Sequence, residues 1–137
     1  MYFEDYEVGM VFDKEIESIS FTEEEIIGAG KIFDPRPIHI DKEAAKASQF
    51  GQIIGSGSWA NAIFWNQWVK TGIDQDGLIV GIGVEKSRWL KPVIADTTYD
   101  IKVEITDKKV RKEGKDGFVT YKLTAYDPDA VSYTHLT

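Results

Sequence analysis

The sequence predicts an α+β fold in which a curved antiparallel sheet wraps around one buried helix, and three observations predict it. Residues 58–70 carry Trp59, Ala60, Ala62, Ile63, Phe64, Trp65, Trp68 and Val69, which nearly encircle a helix. A helix that is apolar all round is a buried one. The second half of the chain alternates as long strands, and the order of strand, helices and strand meander puts the helix against an antiparallel sheet. At 137 residues the chain is one domain's worth of sequence, able to bury roughly two-thirds of the surface its unfolded form exposes.

Taken in order, residues 11–20 read as a first strand of imperfect alternation, since Val11, Ile16 and Ile19 do not share one face. Thr22 and Glu25 then form a capping box. Ile26, Ala29, Gly30 and Phe33 follow at i, i+3, i+4 and i+7, a short amphipathic helix. Gly28 and Gly30 each cost that helix about 1 kcal/mol relative to alanine. Such a cost fits close approach by a backbone or ligand, and equally simple drift. Pro35 and Pro37 push Asp34 and Arg36 out of the helical region, so the segment that ends the helix is stiff. Asp41 can cap a second short helix over residues 42–47. Residues 50–57 form a loop with three glycines, and Gly72 lies where a C′ glycine would close the apolar helix.

The remaining segments read as strands. Residues 78–90 are broken by Gly81 and Gly83; residues 97–109 put Tyr99, Ile101, Val103 and Ile105 on one face; residues 118–126 alternate Val119, Tyr121, Leu123 and Ala125 against Phe118, Thr120, Lys122, Thr124 and Tyr126. A polar hairpin turn falls at 112–117. Trp59, Trp65 and Trp68 read as core, and the basic run Lys108, Lys109, Arg111, Lys112 and Lys115 as a solvated turn.

Composition narrows the function. The formal net charge of -7 argues against nucleic-acid binding. The absence of cysteine removes disulfides, thiolate nucleophiles and zinc–cysteine sites. No apolar run is long enough to span a membrane and the first residues lack a secretory pattern, so the expectation is a cytoplasmic domain. The last residues stand apart. One back-translation of residues 131–136 resembles a transposon end used as a sequencing adaptor. We therefore expect the domain to occupy residues 1–130, with 131–137 a non-native tail. On that reading the final native strand is absent or replaced by this tail, and where it is absent a sheet edge is exposed.

Chemistry concentrates at Asp34 and His39, five apart on the bi-proline segment. A carboxylate and an imidazole facing one small volume can hold a water, take its proton and return a proton elsewhere. The bland alternative has Asp34 closing a turn and His39 as a satisfied polar residue. Ser56 and Gly57 open the apolar helix, whose free N–H groups can polarise a ligand oxygen; a plain serine N-cap explains the same residues.

The run Phe33-Asp34-Pro35-Arg36-Pro37-Ile38-His39-Ile40-Asp41, with Ala44-Ala45, Phe50-Gly51, Ser56-Gly57 and the downstream Arg88-Trp89-Leu90-Lys91-Pro92-Val93 and Asp96, resembles the MaoC-like hydratase/dehydratase family. Its Asp-Pro-x-Pro-x-His form looks like a branch related to the (R)-specific enoyl-CoA hydratases, which usually have Asp-x-Asn-Pro-x-His. The resemblance implies a hotdog fold, a homodimer or higher oligomer, and addition or removal of water across an enoyl-CoA double bond without cofactor or metal. It maps the catalytic pair onto Asp34 and His39, and the N–H that holds the thioester oxygen onto Gly57, with Ser56 beside it. Arg36 departs from the family's usual asparagine or glutamine. It would either meet a CoA phosphate or acidic acyl group, or face solvent. Trp65, where some members have serine, would shorten or reshape the acyl tunnel. A thioesterase and a non-catalytic acyl-CoA or acyl-carrier-protein binding module are the alternatives on the same fold.

Overall fold

The computed structural model describes residues 1–112, 116–127 and 132–136. After a single 3-10 turn at Phe3–Asp5 come β1 (Val11–Phe12), α1 (Glu23–Phe33), α2 (Pro37–Ile40), α3 (Lys42–Ala47) and α4 (Gly57–Val69). Then follow β2 (Ser87–Trp89), β3 (Asp100–Lys112), β4 (Asp116–Tyr126) and β5 (Ser132–Leu136). The strands form one antiparallel sheet in the order β1-β3-β4-β5-β2. Long β3 and β4 pair from Asp100↔Tyr126 to Lys112↔Asp116, with a register shift between Ile105 and Asp107.

The core is the contact between α4 and this sheet. Phe64, Trp68, Tyr99, Val103, Ile105 and Leu123 are fully buried. Phe64 meets Tyr99 edge-on at 5.5 Å between ring centroids, and Trp68 lies 5.2 Å from Phe12. These are favourable aromatic separations. The indole N–H of Trp68 donates to Asp74 at 3.1 Å, so its burial strands no donor. The three helix tryptophans belong to the core as expected: Trp59 and Trp68 are buried, and half-buried Trp65 packs edge-on against Tyr121 of β4. The basic run is largely exposed over residues 109–112, as expected, but two of its members are bonded within the chain. Lys108 donates to the Tyr6 carbonyl and lies over Phe3, and Arg111 pairs with Asp116. Lys115 lies outside the described residues.

Three expectations change. The strand over 11–20 shrinks to Val11–Phe12 and one bridge between Ile19 and Tyr99, because Asp13, Lys14 and Glu15 turn the chain out of register. The strand over 78–90 shrinks to Ser87–Trp89; residues 78–84, with glycines at 81 and 83, lie outside the sheet. The exposed edge does not occur, because the tail stands in the place of the final strand. Ser132–Leu136 pairs with β4 from Tyr126↔Ser132 to Leu123↔Leu136, and with β2 at Ser87↔Leu136, Arg88↔His135 and Trp89↔Thr134. Ladder hydrogen bonds come from the backbone, so a segment of either origin can fill this place. The edge of β4 is therefore covered.

Replacing Phe64 by alanine removes a ring from the centre of this contact. We expect a loss of about 3–5 kcal/mol, seen as a lower urea midpoint. Val69→Ala, on the exposed side of the same helix, should shift it by less than about 1 kcal/mol.

Candidate active site

Local sequence builds the site. The Thr22–Glu25 box starts α1, with both reciprocal bonds at 3.1 Å. Asp34 ends that helix in an extended conformation while its N–H still bonds Gly30. The residue before a proline is pushed that way. Pro37 then occupies the first position of α2, where its fixed φ and missing N–H cost nothing. The expected stiff loop is thus a one-turn helix that carries His39. Asp41 accepts from the N–H groups of Glu43 and Ala44 and starts α3.

The turn brings Asp34 and His39 together. His39 Nε2 lies 3.6 Å from Asp34 Oδ2, and the histidine is 6% exposed. The other ring nitrogen, Nδ1, is 2.7 Å from the carbonyl oxygen of Ile54. A carbonyl only accepts, so Nδ1 carries a proton, and in the neutral tautomer Nε2 is the unprotonated nitrogen. Nε2 and Oδ2 are then two acceptors facing each other at a spacing too long for a bond between them. A water placed against both can donate one hydrogen to each and keep its oxygen lone pairs free. The other Asp34 oxygen faces Arg36, 3.5 Å from Nε and 3.4 Å from the backbone N–H. Asp34 thus closes the turn and faces His39 at once. The Arg36 side chain is 77% exposed and leans on Asp34 at the rim.

Gly30 makes this approach possible. A Cβ there would stand 2.9 Å from the His39 carbonyl oxygen and 3.0 Å from His39 Cβ, whereas one at Gly28 would meet nothing. Of the two open readings of the helical glycines, close backbone approach holds for Gly30.

The N-terminus of α4 lies nearby. Ile54, which holds His39, precedes Gly57 by three residues, at most about 10 Å of extended chain. Ser56 is buried, and its Oγ accepts from the Trp59 N–H at 3.3 Å. Its hydroxyl therefore serves as the N-cap. The N–H groups of Gly57 and Ser58 have no acceptor among the described residues. A Cβ at Gly57 would collide with the Trp89 ring at 2.5 Å. The space that glycine leaves is thus taken by an indole, not kept open for a ligand. Trp89 Nε1 donates to the Gly57 carbonyl at 3.0 Å and to Asn61 Oδ1 at 3.1 Å, and Asn61 donates to Ser87 Oγ at 2.8 Å. Sequence reasoning gave no role to Trp89, Asn61 or Ser87. Their contact joins positions 26 to 32 residues apart, and no local pattern signals it.

A helix enclosed by an antiparallel sheet, with a histidine–carboxylate pair on a proline-framed turn beside its opening, is the architecture of a hotdog-type domain. Residues 7–127 match the MaoC like domain family, and the chain belongs to it. It is 30% identical over 131 residues to the uncharacterized protein YdeM of Bacillus subtilis (strain 168), across 96% of this chain and 91% of that protein. The MaoC-like dehydratase from Rhodospirillum rubrum superposes with a TM-score of 0.89 at 25% identity, covering 100% of this chain and 92% of that one. The (R)-hydratase from A. caviae involved in PHA biosynthesis shares the fold at a TM-score of 0.74 and 18% identity, over 97% and 94% of the two chains.

Two variants test the packing of α1 on α2. Gly28→Ala should leave stability unchanged or raise it by up to about 1 kcal/mol. Gly30→Ala should lower it by about 1–2 kcal/mol, the clash exceeding the gain in helix propensity. Urea denaturation compares the two.

Proposed function

We propose that this chain is a hydro-lyase that adds water to, or removes it from, the 2,3 double bond of an enoyl-CoA-type thioester. The observation that carries the reading is the facing of two acceptors, Asp34 Oδ2 and His39 Nε2, with the tautomer fixed from behind by Ile54. Family membership supports the reaction class.

In the hydration direction a water oriented by both groups attacks C3. One of the pair takes its proton, the carbon–carbon π electrons move toward the thioester, and negative charge gathers on its oxygen. The Gly57 N–H, a free donor at the positive end of α4, meets that charge. The proton held by the pair then passes to C2, so the elements of water are conserved. Every step uses the chain's own groups and needs no prosthetic group. Ser56 sets the angle of the Gly57 N–H by capping the helix. Arg36 supplies a rim cation suited to a CoA phosphate.

Asp34→Asn and His39→Gln should each lower kcat for crotonyl-CoA hydration by about 10²–10⁴-fold, the usual scale for general acid–base groups. Thermal melting should be little changed. The loss of enoyl absorbance reports hydration, and a thiol reagent reports free CoA. Full activity in both variants would remove the pair from the mechanism, and thiol release without hydration would make the protein a thioesterase. Saturable acyl-CoA binding without turnover of any substrate would make it a binding module.

The proposal also keeps the domain at residues 1–130, with 131–137 of non-native origin. Reading the gene from intact genomic DNA should show a different sequence after Ala130; the same seven residues would reject this point.

A further inference from the structure

Trp89 is half exposed, yet it is held more firmly than a surface indole needs to be. Water could satisfy its N–H, but the N–H donates instead to two acceptors on α4, the Gly57 carbonyl at 3.0 Å and Asn61 Oδ1 at 3.1 Å. Asn61 turns its other end to β2 and donates to Ser87 Oγ at 2.8 Å. Ser87 and Trp89 are two apart on β2 and share a face of that strand. The Asn61 amide thus ties alternate residues of β2 to the first turns of α4. The ring adds a steric constraint. A Cβ at Gly57 would stand 2.5 Å from Cε2 of Trp89 and 2.8 Å from its Cζ2 and Nε1.

The opening of α4 needs such a constraint. Its first residue is glycine, which has the widest choice of backbone angles and is a poor helix former. The Ser56 cap accepts from the Trp59 N–H and leaves the N–H groups of Gly57 and Ser58 without an acceptor among the described residues. The peptide unit before the Gly57 Cα carries the Gly57 N–H. The unit after it carries both the Gly57 carbonyl and the Ser58 N–H. A donor on that carbonyl and a ring against that Cα hold both units, and with them the direction of both free N–H groups.

We propose that Trp89 is a positioning residue for the hydro-lyase reaction: its indole aims the Gly57 N–H, and position 57 is glycine to admit that ring rather than to admit substrate. This step deepens the hydro-lyase reading and rests on it. A donor aimed at charge that exists only in the transition state speeds the reaction without tightening ground-state binding, so losing the aim falls on kcat. The Asp34–His39 pair is held from elsewhere, by the Ile54 carbonyl and Arg36, so its titration is independent of the indole.

Trp89→Phe keeps a ring and loses the N–H, and Trp89→Leu also clears the ring atoms that face Gly57. Both variants should stay folded by circular dichroism. Their kcat for crotonyl-CoA hydration should fall about tenfold or more, short of the about 10²–10³-fold that outright removal of such a donor costs. KM and the pH profile of kcat/KM should be little changed. A double-mutant cycle tests the reason for glycine. In the wild-type background Gly57→Ala drives a methyl group into the indole and should lower both kcat and the melting temperature. In the Trp89→Leu background the same substitution should cost at least about tenfold less in kcat, and less in melting temperature. Where Gly57→Ala alone fails to fold, folding recovered in Gly57→Ala/Trp89→Leu upholds the fit of ring and glycine, and no recovery overturns it. Equal costs in the two backgrounds overturn the proposal. So does Trp89→Phe with wild-type kcat, or with a raised KM at unchanged kcat, which would make the indole a wall for substrate binding. A wild type that hydrates no enoyl-CoA rejects the hydro-lyase reading and the positioning role with it, while the melting-temperature cycle still tests the fit of ring and glycine.

Discussion

The hydrogen bond from His39 Nδ1 to the Ile54 carbonyl is the contact on which the site depends. At 2.7 Å it joins two segments that meet nowhere else in sequence: the one-turn helix α2 and the glycine-containing run that leads into α4. It does three things at once. It satisfies a polar ring buried at the boundary of the core, where an unpaired nitrogen would cost about 1–3 kcal/mol. It decides which ring nitrogen is free to accept. It also fixes the distance between the histidine and the first N–H groups of the buried helix. The backbone bond from Ile54 N–H to the Ile38 carbonyl, 3.3 Å, runs alongside and makes the join two-stranded.

That join holds because larger forces fix its two sides. On one side α4 is clamped by Phe64, Trp68 and Tyr99 against β3 and β4. On the other, α1 approaches α2 so closely that only glycine fits at position 30. The hydrophobic contacts supply the energy but have little direction. The polar contacts add little net energy but set angles and distances. A water site with two acceptors needs the second kind of control, and that control works only on a frame made rigid by the first.

Much of this was legible in the chain itself. Caps, prolines and glycines act over three or four residues, so the Thr22–Glu25 box, the stop at Asp34 and the cap at Asp41 could be read locally. The long strands were legible because alternation repeats over ten residues and averages out exceptions, and Tyr99, Ile101, Val103 and Ile105 are buried as the pattern requires. Residues 78–84 misled because an apolar run reads as a strand from its side chains alone, whereas the glycines at 81 and 83 interrupt it and it stays outside the sheet. Asp34 and His39 could be named but not placed, since a spacing of five fixes neither the ring's tautomer nor its neighbour at Ile54. Trp89 carried part of the family resemblance, but its place in the site could not be read. Its contact with Gly57 depends on where an edge strand crosses a helix, which only the finished sheet decides.

On the proposed mechanism, the same geometry lets a proton be kept between two steps. With Nε2 unprotonated, the pair repels direct closure and favours a water between its members. If Nε2 takes the water's proton, the ring becomes a cation 3.6 Å from the Asp34 carboxylate. The charge state therefore changes the pair from a holder of water to a holder of a proton, with no movement of the backbone. Arg36, 3.5 Å from the other Asp34 oxygen, holds the carboxylate from the side away from the ring, so the oxygen that faces Nε2 keeps its direction whichever group carries the proton.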